Sequence, residues 1–142
     1  MLDFKTGDSA SIVKVISEED VRSFAQVSGD LHPLHLDEEA AAKSFFGRRI
    51  AHGMLLAGFF SAVIAEKLPG KGSIYLSQTL RFMAPAFLGD EITVTVEVIE
   101  VMGKGKVKLA TQCTDQSGKV ILDGEAVVMV ARSESEKNTI AE

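Results

Sequence analysis

The chain has 142 residues, 46% of them apolar, which suits one domain with a real hydrophobic core. Its formal net charge of −5 and pI near 5.2 exclude the broad basic field that nucleic acid or an anionic membrane would require. A phosphate-bearing ligand would therefore need a local basic patch.

No charged-then-apolar leader opens the sequence and no long uncharged apolar run follows, so neither a signal peptide nor a membrane span is expected. A cytoplasmic location is the default expectation. From Asp8 to Val15, Ile12 and Lys14 share one face while Val13 and Val15 share the other, which reads as a strand at a sheet edge. Ser17-Glu18-Glu19-Asp20 is a capping-box variant with Asp at the third helical position. Val21, Phe24, Ala25 and Ser28 then form one stripe of a short amphipathic helix.

That helix delivers the chain to Gly29-Asp30-Leu31-His32-Pro33-Leu34-His35-Leu36-Asp37, where a carboxylate and imidazoles crowd together. Pro33 disfavours the helical region for His32 and has no N–H to donate, so an extended or turned loop is expected between Asp30 and His35. On such a loop Asp30 and His35 can converge on one water molecule as an acid/base pair. The alternative is that Asp30 caps a turn and the histidines are satisfied loop residues. Residue chemistry alone leaves both open. Metal binding by His32, His35 and Asp37 is the least favoured reading, because it needs a fixed geometry that a loop rarely supplies.

Asp37 caps a second short helix whose first turn carries Glu38 and Glu39, and Phe45-Phe46-Gly47 ends it. From about Gly53 to Lys67 the chain is apolar around most of a helix, with Met54, Leu55, Leu56, Ala57, Phe59, Phe60, Val63 and Ile64. A helix of this kind is a buried one. At 1.5 Å per residue it is about 22 Å long, too short to span a bilayer but long enough to lie across a curved sheet. Gly58 and Ser61 are its small positions: close-packing points or, for Ser61, a hydrogen-bond partner, with packing favoured.

Beyond Leu68-Pro69-Gly70-Lys71-Gly72 everything reads as strand. One strand is predicted over Ser73–Met83, ending at Ala84-Pro85. A second covers Glu91–Met102 with Ile92, Val94, Val96 and Val98 on one face. After a turn at Gly103-Lys104-Gly105 comes Lys106–Thr114, alternating less strictly and carrying the single cysteine, Cys113. One cysteine allows no intramolecular disulfide and no Cys-based zinc cluster, and its setting predicts a buried structural thiol. Ser117-Gly118 turns the chain into a last strand, Val120–Val130, interrupted at Asp123-Gly124. A polar tail, 133–142, is expected to fray, leaving one domain over 1–132 with no internal repeat or linker. The order of elements predicts an α+β fold, an antiparallel sheet wrapped around one long central helix. The other face and edges of such a sheet need cover, which a homodimer would supply.

Two stretches carry a more specific likeness. Phe24-Ala25-Gln26-Val27-Ser28-Gly29-Asp30-Leu31-His32-Pro33-Leu34-His35-Leu36-Asp37, followed by Ile50-Ala51-His52-Gly53-Met54, resembles the hydratase-2 signature of the MaoC-like hot-dog family. The resemblance continues through 68–76 and 82–91, nearest to the short single-domain (R)-specific enoyl-CoA hydratases. It implies a hot-dog fold and reversible addition of water to trans-2-enoyl-CoA, giving (R)-3-hydroxyacyl-CoA, without cofactor or metal. Asp30 and His35 then hold the water, the Gly53 N–H polarises the thioester carbonyl, and Ser61 supports Asp30. The family usually has Asn where this chain has His32; imidazole also offers a donor and an acceptor, so activity is expected to survive with an altered pH profile or substrate preference. His52 is read as a structural or helix-entry residue. Leu31, Leu34 and Met54 to Phe60 are expected to floor the acyl tunnel and restrict it to short chains. The implied partners are acyl-CoA, or acyl carrier protein, and a second copy of the chain. The alternatives are a hot-dog thioesterase and a non-catalytic acyl-thioester-binding module; the Asp30/His35 pair speaks against the latter.

Overall fold

In the computed structural model, residues 4–130 are described. Strand β1 (Ser9–Val15) leads to helix α1 (Glu18–Ser28), the short helices α2 (Pro33–Leu36) and α3 (Glu38–Ala42), and then α4 (Gly53–Glu66). Strands β2 (Ser73–Gln78), β3 (Arg81–Phe82), β4 (Glu91–Gly103), β5 (Lys106–Thr114) and β6 (Val120–Val130) complete the order. They form one antiparallel sheet in the order β1-β4-β5-β6-β2, with β3 also paired to β6. The expected 132/133 boundary and the tail lie outside the described residues.

Period-two alternation builds the core. Ile92, Val94, Val96 and Val98 of β4, Val107 and Leu109 of β5, and Leu122, Ala126 and Val128 of β6 are fully buried. They face Leu56, Phe59, Phe60, Val63 and Ile64 of α4, which pack into the same cluster. Each fully buried Val, Leu, Ile or Phe contributes about 1.5–3 kcal/mol relative to exposure, so this interlayer contact dominates the fold's stability. Buried positions in β5 alternate strictly; Thr111 hides the pattern in sequence, being a polar residue buried with a hydrogen bond from Gln78 Nε2 at 3.0 Å. Cys113 is buried beside it, and burial pushes its thiol up to about 12, as a structural thiol requires.

Three expectations change. Helix α4 is buried on one side only: Met54, Gly58, Ser61, Ala62 and Ala65, at helical spacing, are exposed. A single sheet reaches only part of a helix's circumference. The strand predicted over 73–83 is two strands, β2 and β3, with a register shift between Tyr75 and Ser77. Between them the Thr79 N–H donates to Glu125 O at 2.9 Å, and the Glu125 N–H donates to Thr79 Oγ1 at 2.9 Å. The predicted interruption at Asp123-Gly124 is absent and β6 runs through it. Gly124 is there because a Cβ would lie 1.8 Å from the Thr79 carbonyl oxygen.

The sheet ends at β1 and β2, and both edges show apolar side chains. Val13 and Val15 are 58% and 53% exposed on β1; Ile74 and Leu76 are 44% and 47% exposed on β2. Among the described residues no helix is long and apolar enough to cross a membrane.

Candidate active site

Helix α1 ends where Gly29 adopts the left-handed conformation, φ 82°, with its N–H on Ala25 O at 2.9 Å. The Asp30 N–H donates to Ser28 Oγ at 3.1 Å, and Asp30 Oδ1 accepts the His32 N–H at 3.3 Å. The expected loop then becomes a helical turn, α2, because Pro33 occupies its first position, where a missing N–H costs nothing. The proline restricts His32 alone, which takes ψ 130° and caps the turn: its Nδ1 accepts the Leu34 N–H at 3.1 Å. Capping is what an Asn side chain does best. An imidazole lone pair supplies the same bond, so His32 can serve where the resemblance implies Asn.

His35 lies in α2, half-buried, with Nδ1 2.8 Å from Ile50 O. A carbonyl only accepts, so Nδ1 carries the hydrogen and Nε2 is left with a free lone pair. Burial is the main reason its pKa lies below the usual 6.5, and neighbouring His52 lowers it further, against the opposing pull of the Ile50 bond and Asp30. The ring is a neutral base at neutral pH.

His52 is the N-cap residue of α4 but makes no side-chain cap bond. It is 3% exposed, and its Nε2 lies 3.0 Å from the Asp30 backbone oxygen, so Nε2 donates there and the buried Nδ1 has no partner among the described residues. Its ring stacks on His35 at 3.8 Å between centroids and 24° between planes, with Phe24 tilted against it at 4.9 Å. His52 thus sits at the helix entry as read from sequence, and also pins the backbone of Asp30 and forms a wall for His35. Nothing in the sequence signals that second role.

Ligand atoms of Asp30, His35 and His52 all lie within 4.8 Å of one another. Stacked imidazoles direct their in-plane lone pairs side by side instead of onto one ion, so the cluster suits proton transfer better than metal ligation. In the other set considered, His32 Nδ1 caps α2 while Asp37 Oδ1 accepts from the Glu39 and Ala40 N–H groups at 2.9 and 3.2 Å.

Ile50, Ala51 and Gly53, which flank His52 in the chain, line an apolar cavity of about 370 Å³, within the range of small-molecule sites; Asp30, His35 and His52 are not themselves part of its lining. Its lining includes Phe46, Ile50, Gly53, Leu56, Phe82 and Met83. Ile50 links it to His35, whose Nδ1–H its carbonyl accepts. Gly53 opens α4, where a backbone N–H has no partner within the helix and the dipole is positive. Its missing side chain matters too: a Cβ would lie 2.5 Å from the Phe82 ring.

The residues expected to bind substrate or support the pair lie elsewhere in the chain. Leu31 and Met54 are 63% and 55% exposed and Leu34 is half-buried; none of the three lines the cavity, and Leu31 borders a separate shallow groove with Ala25 and Leu36. Ser61 is on the exposed side of α4 and makes no side-chain hydrogen bond among the described residues. Phe46, Phe82 and Met83 were overlooked as lining residues. Their only signal was large apolar side chains at the ends of elements, which reads equally as ordinary packing.

Known proteins share this architecture. A family model described as "MaoC like domain" matches residues 5–120. An (R)-specific enoyl-CoA hydratase from Rhodospirillum rubrum is 50% identical over 129 residues, covering 90% of this chain and 89% of the relative. A 3-hydroxybutyryl-CoA dehydratase from Methylorubrum extorquens is 45% identical, covering 93% and 84%. The unliganded R-hydratase of Pseudomonas aeruginosa superposes with a TM-score of 0.89 at 46% identity, covering 92% of this chain and 84% of that one. The chain therefore belongs to the MaoC-like domain family.

Proposed function

We propose that this protein is an (R)-specific enoyl-CoA hydratase, adding water reversibly to trans-2-enoyl-CoA. The observation that carries the reading is the free Nε2 of a neutral His35, grouped with Asp30 beside an apolar cavity walled by the start of α4. Its close relatives bear hydratase and dehydratase names at 45–50% identity.

In this reading the acyl chain occupies the cavity and its thioester oxygen meets the Gly53 N–H. Water donates one O–H to Asp30 and the other to His35 Nε2. As the water oxygen bonds to C3, Nε2 takes its proton, and the C2–C3 π electrons move toward the thioester to form an enolate. The helix N-terminus stabilises that oxygen's negative charge. The imidazolium, facing the Asp30 carboxylate, then returns a proton to C2, so both catalytic groups end in their starting states. Dehydration is the same path reversed.

The test is incubation with crotonyl-CoA, following conjugated-thioester absorbance and free thiol together. Loss of absorbance without thiol is expected; thiol release would make the protein a thioesterase, and neither signal would favour a binding module or a longer substrate. Phe46, Phe82 and Met83 line the cavity, and bulky side chains there are expected to favour short enoyl chains of about four to six carbons. Each clashing methylene costs about ten- to two-hundredfold in kcat/KM. A twelve-carbon substrate turned over as well as crotonyl-CoA overturns that preference.

A further inference from the structure

Arg49 lies outside every role assigned so far, yet it touches the main chain of the dyad. It is 5% exposed, and its Nε–H donates to the backbone oxygen of His35 at 2.6 Å. Its Nη1 lies 2.6 Å from Glu18 Oε2 and 3.3 Å from Glu38 Oε1, while Nη2 is buried with no partner among the described residues. Glu18 opens α1 and Glu38 opens α3, so one guanidinium joins three consecutive helices, with α2 and His35 between the two carboxylates. The next residue, Ile50, accepts the His35 Nδ1–H. Residues 49 and 50 therefore hold His35 at both backbone and ring.

A buried guanidinium is costly unless its charge and its donors are matched, and a fold needing only a clamp between helices would do as well with apolar side chains. The geometry points to Arg49 as a positioning residue for His35, its planar fork fixing the α2 turn so that Nε2 stays aimed at the reacting water. This rests on the hydratase reading. Lysine keeps the charge but cannot present Nε–H and Nη1 in one rigid fork, so Arg49→Lys separates position from charge.

The test is a double-mutant cycle on crotonyl-CoA hydration with Arg49→Lys, His35→Ala and the pair. Arg49→Lys is expected to lower kcat by about ten- to a hundredfold, the scale of a small misplacement of a catalytic group. KM should move less than about threefold. In the His35→Ala background the same change should cost less than about twofold, since the group it positions is gone. Equal losses in both backgrounds, or wild-type kcat in Arg49→Lys, overturn the proposal. Ring-nitrogen NMR of His35 gives a readout independent of turnover: Arg49→Lys should shift the His35 signals and leave those of His32 in place. Unchanged His35 signals overturn it even if the wild-type protein fails to hydrate crotonyl-CoA, whereas shifted signals in an inactive protein would sink only the hydratase reading. If Arg49→Lys does not fold, the double variant Glu18→Ala/Glu38→Ala removes both acceptors of Arg49 Nη1 from more exposed positions. A kcat loss of about three- to tenfold is then expected, and wild-type kcat overturns the proposal.

Discussion

At the scale of single residues, the proton inventory decides the pH behaviour. His35 must be neutral to accept from water, and its burial holds the pKa below 6.5. Hydration is therefore complete above that pKa and is lost as pH falls through it. The acid limb of kcat/KM should have its midpoint below 6.5; a midpoint at or above that value contradicts the assignment of His35 as base. Asp30→Asn and His35→Ala should each lower hydration by about a hundredfold or more with the fold intact, as loss of a positioned acid/base group does. His32→Asn should be mild, because the new side chain keeps the cap on Leu34 N–H. Near wild-type turnover in the first two variants, or collapse in the third, would reverse these roles. The grouping of Asp30 with His35 was legible because Gly29 and Pro33 mark a turn around chemically active side chains. The orienting contacts of His52 and Arg49 were not, since they depend on which backbone carbonyls the fold brings within reach across 22 and 14 residues.

At the scale of elements, binary patterning located nearly every helix and strand. Strict alternation marked β4, and Ser17 with Asp20 marked the start of α1, where both capping-box bonds form. Patterning failed where one element answers to another. Helix α2 was invisible because a proline reads as a breaker unless its place in the turn is known. The division between β2 and β3 was invisible because alternation persists across it, and the break comes from Thr79 crossing against Gly124. That contact yields a prediction: Gly124→Ala must push the Thr79 carbonyl aside, costing about 1–3 kcal/mol or more by overpacking against backbone. Thermal unfolding should show a clear fall in Tm. An unchanged Tm would mean the two strands part without cost.

At the scale of the whole molecule, the protomer leaves surfaces that a soluble monomer does not usually present. Among the described residues nothing covers the Met54, Gly58, Ser61, Ala62 and Ala65 side of α4 or pairs the outer edge of β2, which carries Ile74 and Leu76, and Phe82 and Met83 are 56% and 53% exposed. An open apolar edge invites pairing with another strand, and a two-fold axis lets identical edges satisfy each other. The full apolarity of α4, which one sheet does not use, makes sense if a second protomer covers the remainder. Ser61 lies on that side, so a partner would also determine whether it meets a catalytic carboxylate. We therefore predict a homodimer at micromolar concentration, with an interface of about 800 Å² per protomer or more. Sedimentation should give twice the 15.2 kDa chain mass. Leu76→Asp, which puts a charge on the open edge, should shift the protein toward monomer and lower hydration in parallel if the site is completed across the two-fold. A wild-type protein that sediments as a monomer and still hydrates crotonyl-CoA would show that one protomer suffices, and that the exposed side of α4 serves some purpose other than self-association.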